Sequence, residues 1–180
     1  EREISPIRLK LEKLYDIGLT SENSSIKVVE KKYKFKASDK EIEIGKELNK
    51  KKDYEKEIAH WKALANKGDA FAQNSLGLIY GSNERGVSQD HKTEFKWYSL
   101  AAKQGFSPAQ FNLGIMYTNG EGVQESSTNA TFWFSEAAKQ GDLEATYFLA
   151  EAYEKGEGVP KDRKEAFDLY KVAAGASIFE

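Results

Sequence analysis

Leu113-Gly114-Ile115-Met116-Tyr117-Thr118-Asn119-Gly120-Glu121-Gly122-Val123 is an apolar helical run that stops in two glycines, and it recurs. Leu149-Ala150-Glu151-Ala152-Tyr153, followed by Gly156-Glu157-Gly158-Val159, repeats it 36 residues later. Leu76-Gly77-Leu78-Ile79-Tyr80 precedes it by 37 residues. The extra residue falls in Gly81-Ser82-Asn83-Glu84-Arg85, ahead of Gly86-Val87. Self-similarity at such a period marks a stacked array in which each unit is one supersecondary element.

Each unit reads as two helices. Ala72, Leu76 and Tyr80, then Ala109, Leu113 and Tyr117, then Ala145, Leu149 and Tyr153 share one helical face within each copy. The second helix carries Trp97-Tyr98 before Ala101-Ala102, then Trp133-Phe134 before Ala137-Ala138, then Leu169-Tyr170 before Ala173-Ala174. Gly68, Gly105 and Gly141 stand where helices stop, because glycine takes the left-handed conformation without a side-chain penalty. Asp90, Ser126 and Asp162 stand where the second helices need N-caps. The alanines and glycines are small because antiparallel partners must approach closely. An earlier, degenerate unit precedes these. Ser38-x-x-Glu41 is a capping box opening a helix with Ile42, Gly45 and Leu48. A short turn at Asp53-Tyr54 leads to Ile58, Trp61, Leu64 and Ala65, ending at Gly68. The expected fold is all-α: an α/α right-handed superhelical solenoid of tandem antiparallel helix pairs over 38–180. Its units span about 38–68, 69–105, 106–141 and 142–176.

These motifs resemble the Sel-one-like repeat family, relatives of the tetratricopeptide repeats. The family's Gly-x-Gly-Val loop is met at Gly120–Val123 and Gly156–Val159, and its Leu-Gly-x-x-Tyr at Leu76–Tyr80 and Leu113–Tyr117. Glu94 departs from the family's alanine, where Ala130 and Ala166 conform, and Ala150 replaces a glycine. Ser177 stands at the spacing of the last terminal glycine. The resemblance implies a scaffold that binds other proteins, most often in bacteria. An immunity-type protein that neutralises a secreted toxin is the alternative it implies. Helicobacter relatives linked to β-lactam binding are cysteine-rich, and this chain has no cysteine.

Residues 1–37 do not fit the repeat. Ser5-Pro6 with Ile7, Leu11 and Leu14 reads as a short amphipathic helix, and Ile26 to Phe35 reads as extended, with Tyr33 and Phe35 alternating with lysines. An N-terminal cap on the solenoid is the expected role. The far end is apolar at Val172, Ile178 and Phe179, where a capping repeat turns a polar face outward. That end is read as open to association.

Composition narrows the function. The 180 residues carry 27 Lys+Arg and 29 Asp+Glu, and no apolar run is long enough to span a bilayer. The basic excess of the first 69 residues, 17 Lys+Arg against 14 Asp+Glu, is too slight for a nucleic-acid reader. The first residues lack the apolar core of a signal peptide, and the address stays open between bacterial cytoplasm and export. His60 and His91 lie in different helices without a ligand-like partner, so no metal is expected. No lysine–serine pair follows the glycine loops, so no phosphate cofactor is expected. No nucleophile–base pair is visible, so the chain reads as non-enzymatic.

The candidate binding residues come from helical geometry. Two residues past the stripe of each first helix is about 200° round, the opposite face. That face carries Asn74 and Leu78, Phe111 and Ile115, Tyr147 and Glu151, flanked by Asn119 and Lys155, with Asn112 nearby. If first helices line the concave side, these residues form a groove for a partner protein or peptide. Alternatively they fill the space between adjacent pairs. On the groove reading, changing Phe111 and Tyr147 together to alanine abolishes partner capture and leaves helicity intact.

Overall fold

The computed structural model describes residues 37–83 and 85–174. All fall within one unit, Phe35–Glu180. Of the expected cap over 1–37, all but Ala37 lies outside the described residues, as do Ser177, Ile178 and Phe179. Among the described residues there are eight helices and no strand: α1 (Asp39–Lys50), α2 (Tyr54–Ala65), α3 (Ala70–Tyr80), α4 (His91–Lys103), α5 (Ser107–Asn119), α6 (Ser127–Ala138), α7 (Leu143–Lys155) and α8 (Arg163–Ala173). Each packs on its neighbours in the chain, making four tandem antiparallel pairs in a solenoid.

The helix starts follow from short polar side chains. Ser38 and Glu41 close a reciprocal capping box on α1. Asp53, Asp69, Asp90, Ser126, Asp142 and Asp162 each accept backbone N–H bonds at the start of their helices. Helix α5 lacks a side-chain cap and instead begins with Pro108 in its first turn.

Glycine plays two separate roles. Inside the first three pairs an aromatic ring packs against a helical glycine: Trp61 on Gly45, Tyr98 on Gly77, and Phe134 on Gly114. A side chain at these glycines would push the second helix off the first. At helix ends and loops, Gly68, Gly86, Gly105, Gly120, Gly122, Gly141, Gly156 and Gly158 all have positive φ. Gly122 and Gly158 meet a further demand. Their α-carbons face the backbone of His91 and Ser127, the first residues of α4 and α6, so the loop of one unit lies on the preceding unit's second helix. Gly86 lies more loosely, beside the side chain of Tyr54, the first residue of α2. The Gly-x-Gly loops at Gly122 and Gly158 are therefore stacking devices, set against protein backbone.

Polar side chains stitch the units together. Gln104 donates to Gln73 at 2.7 Å, and Gln73 donates to the carbonyl of Ala65. One unit on, Gln140 donates to Gln110 at 2.6 Å and to the carbonyl of Gly105, while Gln110 donates to Ala102. The glutamines thus bond carbonyls where second helices end; those of Ala65 and Ala102 also accept from the N–H of Gly68 and Gly105.

Candidate functional site

The row at positions 74, 111 and 147 is a seam between units. Asn112 of α5 donates to Asn74 of α3 at 3.4 Å. One unit on, the ring of Phe148 in α7 lies 5.8 Å from that of Phe111 in α5. Phe111 is 1% exposed and Asn74 is also buried, so neither can touch a partner. The groove reading therefore fails for Asn74 and Phe111: the next unit's first helix covers them. Tyr147 occupies the same position in the last pair and is 47% exposed.

The remaining predicted residues sit elsewhere. Leu78 of α3, Ile115 of α5 and Glu151 of α7 are half-buried, while Asn119 and Lys155 are exposed. Leu78, Ile115 and Glu151 recur at the repeat spacing, so stacking sets them in one row along the first helices. Lys155 reaches Glu151 at 3.4 Å, and that carboxylate holds the ammonium above its usual range. Half-buried apolar side chains next to a solvated ion pair suit a shallow recognition surface, where apolar area gives affinity and charge sets register.

Both histidines perform structural tasks. His60 Nε2 lies 2.7 Å from the carbonyl of Glu41, tying α2 to α1. His91 Nδ1 lies 2.7 Å from the Glu94 carboxylate, which rests against Gly81. Among the described residues no group of three or more histidines, cysteines or carboxylates is placed to hold a metal.

Sequence reasoning missed a buried ion pair. Glu57 of α2 is 0% exposed, and Arg85 donates to it at 3.1 Å. The signal was present: Glu57 holds the register position of Glu94, Ala130 and Ala166, and Arg85 belongs to the one-residue-longer loop. Burial pushes the Glu57 carboxyl up, against the opposing pull of Arg85. A raised folded pKa means the ionised form costs stability as pH climbs from the ordinary carboxylate range through the raised value. Removing Arg85 raises it further. Arg85→Met should therefore cost about 2 kcal/mol at neutral pH, less than a fully buried pair because Arg85 keeps some exposure. Urea titrations across pH should show that loss shrinking as Glu57 protonates. A loss independent of pH would mean that packing, not charge, holds the loop.

Comparison with known proteins follows the same geometry. The model of the Sel1 repeat family matches residues 70–106, 107–142 and 143–176. A putative sel1-like repeat-containing protein of Acanthamoeba polyphaga mimivirus is 42% identical over 60 residues, 32% of this chain and 11% of that protein. Among solved structures, a Sel1 repeat protein from Oxalobacter formigenes is 34% identical, with a TM-score of 0.69 over 75% of this chain and 55% of the other. A protective antigen of uropathogenic Escherichia coli with an SLR fold is also 34% identical, with a TM-score of 0.63 over 66% of this chain and 25% of the other. The chain thus spans about a tenth of the mimivirus protein and about half of the Oxalobacter one. Cysteine-rich protein B of Helicobacter pylori, 23% identical at a TM-score of 0.53, shares the fold.

Proposed function

The chain belongs to the Sel1 repeat family, and from that premise we propose that it is a non-enzymatic protein-interaction scaffold whose first-helix row holds a segment of a partner protein. Sel1 repeat proteins are in general helical scaffolds that bind other proteins. One observation supports carrying the reading to this chain: Leu78, Ile115 and Glu151 recur at the repeat spacing and are half-buried, where Asn74 and Phe111, one turn before Leu78 and Ile115, are closed. A partner segment would bury its apolar side chains on Leu78 and Ile115. It would turn a polar or basic end toward Glu151, with Asn119 and Lys155 at the rim. Recognition by an extended array gains strength from many small contacts.

Comparative capture from the native host tests this. The Leu78→Glu, Ile115→Glu double variant should lose a partner about tenfold or more. The variant Phe132→Glu, at an exposed ring of α6, should retain it. Far-UV CD and thermal melts confirm that both variants are folded. Equal capture by wild type and both variants would remove the row from the account.

A further inference from the structure

Charge in this chain is sorted between the two kinds of helix. Residues 91–104, 127–140 and 163–174 are α4, α6 and α8 with the turns that end them, and they carry 7 Lys+Arg against 4 Asp+Glu. Residues 70–90, 107–126 and 143–162 are the first helices with their glycine loops, and they carry 3 Lys+Arg against 9 Asp+Glu. The second helices are therefore basic and the rest of each unit acidic, although the whole chain has a net charge of −2. Sorted charge of this kind orients a molecule toward a charged surface even where its net charge is slight.

Two of these helices set large apolar side chains among the lysines. Lys92, Lys96, Leu100 and Lys103 stand four, four and three residues apart, so they form one stripe along α4, and all are exposed. The Lys96 ammonium lies 5.6 Å from the ring centre of Trp97. In α6 the place of Lys96 is taken by Phe132, 36 residues on, and Lys139 stands where Lys103 does. Phe132 is 54% exposed and Leu100 is 40% exposed. Phe132 meets Trp133 edge-on at 5.0 Å, and Trp133 shares its half-buried register position with Trp97. Helix α4 packs on α3 and α5, and α6 on α5 and α7, so both have a unit on either side. Their open faces thus do not depend on what adjoins either end of the array. Equivalent positions of stacked units lie side by side, which turns the two stripes the same way.

We propose that the exposed face of α4 and α6 docks on the surface of an anionic lipid bilayer. Leu100 and Phe132 would enter the boundary between headgroups and acyl chains. The lysines around them would keep their ammoniums at the phosphates while their apolar stems lean along the same boundary. Trp97 and Trp133 would sit at headgroup level, which suits a ring with an apolar body and one polar N–H. The acidic first helices and glycine loops disfavour any other face against a negative surface. A polyanion without an apolar interior would meet the lysines but leave Leu100 and Phe132 in water. Among the described residues no helix is long and apolar enough to cross a membrane, so the contact is with its surface. The face shares no residue with Leu78, Ile115 and Glu151, so either proposal can fail without the other.

The probe is a vesicle of phosphatidylserine and phosphatidylcholine in equal parts, titrated into the full chain while tryptophan emission is followed. Of the three tryptophans Trp61 is fully buried, so a shift reports Trp97 and Trp133. A saturable blue shift with co-sedimentation is expected. Both should weaken as salt rises and be absent with phosphatidylcholine alone. The Leu100→Ser, Phe132→Ser variant removes apolar area without adding charge, and the Lys96→Glu, Lys103→Glu variant reverses charge alone. Each should bind vesicles about tenfold more weakly or worse. All four side chains are exposed, so thermal melts should match wild type. The Leu78→Glu, Ile115→Glu variant should bind vesicles as wild type does. No saturation with the anionic vesicles, or equal binding by the Leu100→Ser, Phe132→Ser variant, would overturn the proposal. So would capture of polyglutamate or duplex DNA in place of vesicles, because the lysines would then serve a protein or a nucleic acid.

Discussion

Phe111→Ala should destabilise the protein by about 4 kcal/mol, the range for emptying a buried aromatic site. Phe111 touches Phe134 of its own pair and Phe148 of the next, and is almost wholly buried. The cavity would open at the junction of two units, where three helices meet and none can move in alone. The readout is a shift of the urea midpoint with little change in slope. Tyr147→Ala, one unit later on the same face, should cost far less, because that ring is half in water. A loss of partner capture in the Phe111→Ala, Tyr147→Ala double variant would therefore report partial unfolding, and must be read against its melt.

The second large effect is predicted at a glycine. Gly122→Ala should cost about 3 kcal/mol, of which about 1–2 comes from placing a side chain at positive φ and the rest from overpacking. Gly122 has φ 71 and its added Cβ would strike the backbone of His91. Gly120, two residues earlier, is the control. It has φ 68, but its Cβ would meet nothing closer than 3.5 Å. Gly120→Ala should therefore cost only the conformational part, about 1–2 kcal/mol. Thermal melts of the two variants separate strain from stacking. Equal losses would show that the loop does not rest on α4.

The fold was legible because each device of the repeat is local. Glycines two residues apart, an N-cap on each second helix, and an alanine pair ahead of each helix end all lie within one unit and can be compared between copies. Glu57 was harder, since its partner Arg85 sits in the loop of another pair. The candidate site was legible only in part, for a related reason. Counting two residues round a helix correctly finds the face that a helix pair leaves open. It does not reveal that the next unit's first helix closes half of that face. Position 112 or 148 of one unit meets position 74 or 111 of the unit before, and no single-unit periodicity encodes this. A signal was present in α5, Ser107–Asn119, where Ala109, Phe111, Leu113, Ile115 and Met116 leave no continuous polar face. A helix apolar nearly all round is an interior helix, covered on more than one side. Leu78 and Ile115 sit one helical turn beyond the seam residues, and so they remain half-open while Phe111 does not.

The seam between units buries Asn74 and Phe111 and leaves Leu78 and Ile115 half-open, and a double-mutant cycle on Phe111 and Phe148 tests it most directly. The two residues are 37 positions apart, in different units, yet their rings are in contact. Urea titration of Phe111→Ala, Phe148→Ala and the double variant should give a coupling of about 1 kcal/mol or more. Strict additivity would contradict the account, because it would place Phe111 on an open groove and leave the units unjoined at this point.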